Sequence, residues 1–166
     1  MFKALLAAAL LTVVVTPAAS ADPVALECVG TKTTQYSPGL KLFPSVQRIE
    51  YDAIFSPCAG TATGVSAIQS SGVTKVASCL SVGESNPGLL QYVWSDGESS
   101  FFSYETTVQR PAGQIVVTKT GTITAGRYTG ATAVETTTGV TPNVLDCVGD
   151  GIKSLPSAVT LSIVGA

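Results

Sequence analysis

From Asp22 onward, no stretch of this chain repeats apolar side chains at helical period. Short segments rich in Thr and Val replace the helical pattern, cut by Gly, Pro, Ser and Asn. β-Branched side chains lose rotamer freedom in a helix and sit well on a pleated surface. Long helix formers are scarce: Met occurs once, and charged residues make up 12% of the chain, about half the usual fraction. The expected class is all-β.

The segments define candidate strands and turns. Val46–Phe55 places Val46, Arg48, Glu50 and Asp52 on one face and Gln47, Ile49, Tyr51 and Ala53 on the other. Ser71-Gly72 reads as a hairpin turn between Thr61–Ser70 and Val73–Leu80, and Ala125-Gly126 as another between Gln114–Thr124 and Arg127–Thr137. Further turns are read at Ser37-Pro38-Gly39, Asn86-Pro87-Gly88, Ser95-Asp96-Gly97 and Pro111-Ala112-Gly113. Leu90, Tyr92 and Trp94 enclose the equally apolar Val93, which predicts a strand covered on both faces. Val144–Val148 and Ser157–Val164 read as the last strands. About nine or ten strands, turning every 8 to 12 residues, predict an antiparallel β-sandwich. The lack of strand–helix alternation argues against a parallel sheet.

Residues 1–21 read as a secretory leader. Lys3 supplies the positive charge, Ala4–Val15 an apolar run broken by Thr12, and Ala19-Ser20-Ala21 a small-residue cleavage site after Pro17. The run is shorter than the ~20 residues a bilayer span needs. Cleavage leaves residues 22–166 as a single domain, expected to be released into the extracellular space with no membrane attachment. Cys28, Cys58, Cys79 and Cys147 are an even set in an exported chain and imply two disulfides. Of the three pairings open to four cysteines, Cys28–Cys58 with Cys79–Cys147 is favoured. Their wide spacing argues against zinc.

The chain contains no histidine. A Ser-His-Asp triad, a Cys-His dyad and a His-containing zinc site are thereby excluded, and paired cysteines offer no thiolate. The carboxylate pairs Glu50/Asp52, Asp96/Glu98 and Asp146/Asp150 are local, whereas a glycosidase needs two acids facing each other across a cleft. They read as solvated, and no calcium-loop spacing accompanies them. With a net charge of −2 and no basic stripe, nucleic acid is not an expected partner. No catalytic residue, metal or cofactor is expected.

Tyr92, Trp94, Phe101, Phe102 and Tyr104 crowd onto two candidate strands joined at Asp96-Gly97. The favoured reading is a core cluster with Trp94 against a disulfide, as in immunoglobulin-type sandwiches. The competing one is a binding surface that stacks on a sugar ring or a protein.

Several segments occur together in a specific order: Cys28-Val29-Gly30-Thr31, Tyr36-Ser37-Pro38-Gly39-Leu40, Cys58, Ala77-Ser78-Cys79-Leu80, Trp94-Ser95-Asp96-Gly97 with Ser99-Ser100, and Asp146-Cys147. As a set they resemble a group of small secreted proteins common in streptomycetes and related actinomycetes. The resemblance spans most of residues 22–166. It implies an immunoglobulin-like sandwich and export, and carries no activity or catalytic residues. The expected role is noncatalytic binding or structure, with an extracellular protein, a glycan or a small molecule as partner and the chain as a monomer. The alternatives are a protease inhibitor, for which Ser56-Pro57-Cys58-Ala59 is the candidate reactive loop, and a small-molecule carrier. The composition is similar to that of enediyne-carrier apoproteins, whose cysteines are more tightly spaced.

Overall fold

The computed structural model describes residues 24–60, 66–83 and 86–165; the leader read at residues 1–21 lies outside them. Eight strands follow in chain order: β1 (Val24–Leu40), β2 (Ser45–Gly60), β3 (Ala67–Ala77), β4 (Gly88–Trp94), β5 (Ser99–Gln109), β6 (Gln114–Gly126), β7 (Thr132–Val140) and β8 (Ile152–Val164). Each pairs antiparallel with the next, and β8 returns to β1, so one sheet closes into an up-and-down barrel.

The sandwich expectation, and with it the immunoglobulin-like fold that the resemblance implied, is therefore corrected. Closure rests on β1. It pairs with β2 along one edge, from Leu26↔Gly60 to Ser37↔Arg48, and with β8 along the other, from Val24↔Val164 to Leu40↔Ile152. Some expected turns are strand interior. Ser71-Gly72 lies within β3, opposite Tyr51 and Glu50, and Ser37-Pro38-Gly39 lies within β1. The expected strand at Val144–Val148 is instead a 3-10 turn, Val144–Cys147, capped where the Leu145 N–H donates to Asn143 Oδ1 at 3.0 Å. Ser95-Asp96-Gly97 and Pro111-Ala112-Gly113 do turn the chain, between β4 and β5 and between β5 and β6.

Glycines within strands mark where the barrel coils tightly. A Cβ on Gly30 would sit 2.0 Å from the Ile54 carbonyl oxygen, and one on Gly121 would sit 1.9 Å from that of Ser103. No other residue lets the neighbouring backbone approach so closely, which is why glycine interrupts these otherwise β-branched runs.

Alternation decides which side chains enter the barrel. On β2, Gln47, Ile49 and Ala53 are buried while Arg48 and Asp52 are exposed. On β4, Leu90, Tyr92 and Trp94 point inward. Leu89 and Val93 are 63% and 37% exposed, so this strand is covered on one face rather than two.

The interior has two unlike halves. One is filled: Leu26, Phe55, Tyr92, Trp94, Phe102, Ile123, Leu161 and Ile163 pack there, beside the Cys28–Cys58 disulfide that joins directly opposed residues of β1 and β2 at a Cα separation of 4.0 Å. Arg127 closes that end. Its guanidinium lies 6.0 Å from the centre of the Trp94 ring, donates from Nε to Glu98 Oε2 at 2.8 Å, and donates from Nη2 to Asp96 Oδ2. The other half packs Tyr36, Leu40, Ile49 and Ala77 around Cys79–Cys147. That disulfide ties the β3–β4 connection to the β7–β8 connection, Cα to Cα 6.3 Å. Both pairings are those favoured from the sequence.

The closure is uneven. Among the described residues β3 and β4 share two ladder pairs, Ala67↔Trp94 and Ile68↔Val93, whereas β4 and β5 share six, from Gly88↔Tyr104 to Val93↔Ser99. Past Ile68 the two strands part company.

Candidate ligand-binding site

Between the filled half's aromatic packing and the half around Cys79–Cys147 lies a charged layer. Glu135 projects inward from β7, on the parity of Ala131 and Ala133, and is fully buried. Lys32 Nζ donates to its Oε1 at 3.0 Å, Lys119 Nζ donates to the same oxygen at 2.9 Å, and the Tyr92 hydroxyl donates to Oε2 at 2.8 Å. The three strands that supply Lys32, Lys119 and Glu135 are consecutive around the barrel apart from β8, so register brings the groups to one level.

Burial alone would raise the Glu135 carboxyl, but the two ammoniums outweigh it and hold the group at about 2. Burial lowers Lys32, against the pull of Glu135. Tyr92 is pushed well above its ordinary value, first by burial and then by the Glu135 charge, so it remains a hydroxyl donor.

Above this layer is a cavity of about 540 Å³, within the range of small-molecule sites. Lys32 and Lys119 form its floor; Tyr36, Tyr51, Tyr104, Ile115, Val117 and Leu155 are among its walls. Lys119 Nζ lies 4.9 Å from the centre of the Tyr104 ring and Lys32 Nζ 5.5 Å from that of Tyr51, so each ammonium is backed by an aromatic face. Burial raises both phenols, with a neighbouring charge or phenol adding to it. The cavity also reaches the parted strands, touching Ser71, Gly72 and Val73 on one side and Gly88 and Leu89 on the other.

The aromatic cluster read from the sequence is split by this architecture. Tyr92, Trp94 and Phe102 are buried in the filled half, with Tyr92 stacked on Phe102 at 6.0 Å between centroids. Phe101 is on the outer face, 38% exposed. Tyr104 alone of the five lines the cavity. The candidate inhibitor loop Ser56-Pro57-Cys58-Ala59 lies within β2, with Cys58 and Ala59 paired to Cys28 and Glu27. Glu50 and Asp52 bond outward to Arg48 and Ser70, and Asp96 and Glu98 hold Arg127. Among the described residues no group of three or more His, Cys, Asp or Glu side chains gathers as a metal site. No described helix is long and apolar enough to cross a membrane, which does not bear on strands.

Lys32, Lys119 and Glu135 were not singled out from the sequence. The signal lay in parity: each is a charge on the inward register of its strand, Lys119 between Val117 and Gly121, Glu135 between Ala133 and Thr137. Comparison with protein-family models, with curated proteins and with solved structures finds no match to this chain.

Proposed function

We propose that this chain is an exported, noncatalytic carrier of a small organic molecule held inside the barrel. The observation that carries this reading is the unfilled half: about 540 Å³ of aromatic- and aliphatic-walled space ending on buried polar groups. Interiors are ordinarily packed to crystal-like density with few voids larger than a water, and the half around Cys79–Cys147 keeps this cavity beside its own packed cluster. Two disulfides support export, since such bonds persist in oxidising compartments. With no histidine in the sequence and all four cysteines paired, no imidazole or thiolate is offered to a guest. The carrier reading is favoured over an inhibitor because the candidate reactive segment is held in the sheet.

The test uses an environment-sensitive probe, N-phenyl-1-naphthylamine, with the wild type and Thr34→Trp. Thr34 lines the cavity, and the larger ring occupies it. Near-UV circular dichroism checks that the variant is folded. Saturable probe fluorescence that weakens at least tenfold in the variant supports an internal site. Absent binding, or equal binding to both proteins, overturns it.

A further inference from the structure

We infer that the cavity takes an organic anion, its acidic group on the Lys32 and Lys119 ammoniums and its apolar body among Tyr36, Tyr51 and Tyr104. This rests on the carrier reading and narrows it. The charge around the cavity is one-sided: Lys32, Lys75 and Lys119 line it, and among the described residues no aspartate or glutamate does. The balancing carboxylate, Glu135, sits behind the lysines rather than in the wall, and it is single.

Geometry makes the two floor lysines act as one site. Both Nζ atoms lie within 3.0 Å of the same Glu135 oxygen, so they converge. An ammonium carries three donors, and Glu135 takes one from each, so the pair keeps donors for an acceptor on the cavity side. The layer of two cations and one anion, buried at Lys32 and Glu135 and partly buried at Lys119, is short of one negative charge, and an uncompensated charge withdrawn from water is unfavourable. A carboxylate or sulfonate bridging the two ammoniums supplies that charge. A cation there meets like charge, and a neutral molecule leaves the excess in place. The Tyr51 and Tyr104 rings that back the two ammoniums line the same cavity. The aromatic walls and the cavity size fit a ring-bearing or short-chain body.

A matched probe pair tests this: 1-anilinonaphthalene-8-sulfonate and N-phenyl-1-naphthylamine share a ring skeleton and differ by the sulfonate. The wild type is expected to bind the sulfonate at least tenfold more tightly. Lys119→Met leaves Lys32 and Glu135 as a balanced pair, and is expected to bring the ratio of the two probes' affinities close to one. Lys119→Arg is expected to restore it, which a purely structural role for the residue would not require. If the neutral probe binds as tightly as the sulfonate, and Thr34→Trp blocks both, the carrier reading stands and the anion assignment falls. If neither probe binds, or Thr34→Trp changes neither, both fall. The comparison on the wild type needs no variant, so failure of Lys119→Met to fold does not rescue the inference.

Discussion

Replacing Glu135 with glutamine removes one charge and almost no volume, and the structure sets the size of the effect. Glu135 is fully buried and accepts from two ammoniums and a hydroxyl. Its carboxyl stands at about 2 in the fold against an ordinary 4.5. At about 1.4 kcal/mol per unit, that difference corresponds to about 3 kcal/mol of folding stability. An independent route agrees, since removing one partner of a buried ion pair costs about 3–5 kcal/mol. Because the folded value is the lower one, this stabilisation is complete above about pH 4.5 and is lost as pH falls from there toward 2. Urea unfolding of wild type and Glu135→Gln, from pH 7 down to pH 2.5, reads it directly. The expected gap is about 3 kcal/mol at neutral pH, narrowing steadily below pH 4.5. The variant should also gain stability as pH rises on the alkaline side. Without Glu135 nothing offsets the burial that depresses Lys32, so the unfolded chain binds the extra proton below 10.5. A gap under about 1 kcal/mol at pH 7 would refute the reasoning. A gap unchanged at pH 2.5 would refute it too, since it would then reflect packing rather than charge.

Other perturbations probe the remaining parts. Tyr92→Phe leaves Glu135 Oε2 without its 2.8 Å donor and should cost about 1–3 kcal/mol by chemical denaturation. Gly121→Ala drives a Cβ to 1.9 Å from the Ser103 oxygen, so β5 and β6 must separate; a loss of about 3 kcal/mol or more is expected in thermal unfolding, and a neutral result would mean the strands are less tightly coiled than described. Cys79→Ala with Cys147→Ala opens a loop of 68 residues, which the chain-entropy relation places at about 4 kcal/mol. The equivalent change at Cys28 and Cys58 opens 30 residues and should lose slightly less, about 3.5 kcal/mol. Differential scanning calorimetry of the two double variants tests that order.

The strand class was legible because it depends on local chemistry. Thr, Val and Ile at alternating positions mark a pleated half-buried surface wherever they occur, and β2 shows the inward Gln47, Ile49, Tyr51 and Ala53 row that its sequence predicts. Closure was not legible, because it depends on β1 meeting β8 across the whole chain. A sandwich and a barrel draw on the same alternation and the same turns. The glycines misled in a specific way. Gly72 and Gly39 read as turn residues, but Gly72 sits opposite Glu50 in mid-ladder and Gly39 lies within β1. The disulfide pairing observed was the one favoured among the three that the sequence left open, whereas the charged layer was not legible. It needs three inward positions on β1, β6 and β7 to fall at one height, which only register decides.

The parted strands β3 and β4 give the barrel a direction in time as well as in space. A fully laddered barrel exchanges an enclosed guest only by breaking many hydrogen bonds together. Here, among the described residues, the seam is held at one end, by the ladder pairs at Ala67 and Ile68 and by the hydrogen bonds between Ser66 and Ser95, and the cavity already touches both lips. Opening therefore requires a local event far smaller than unfolding, of the kind that native-state exchange detects well below global stability. On the proposed carrier reading, residence of a guest and persistence of the fold become separate quantities. The Cys79–Cys147 bond and the Arg127 end hold the fold, while on the proposed carrier reading release would follow the opening of β3 from β4.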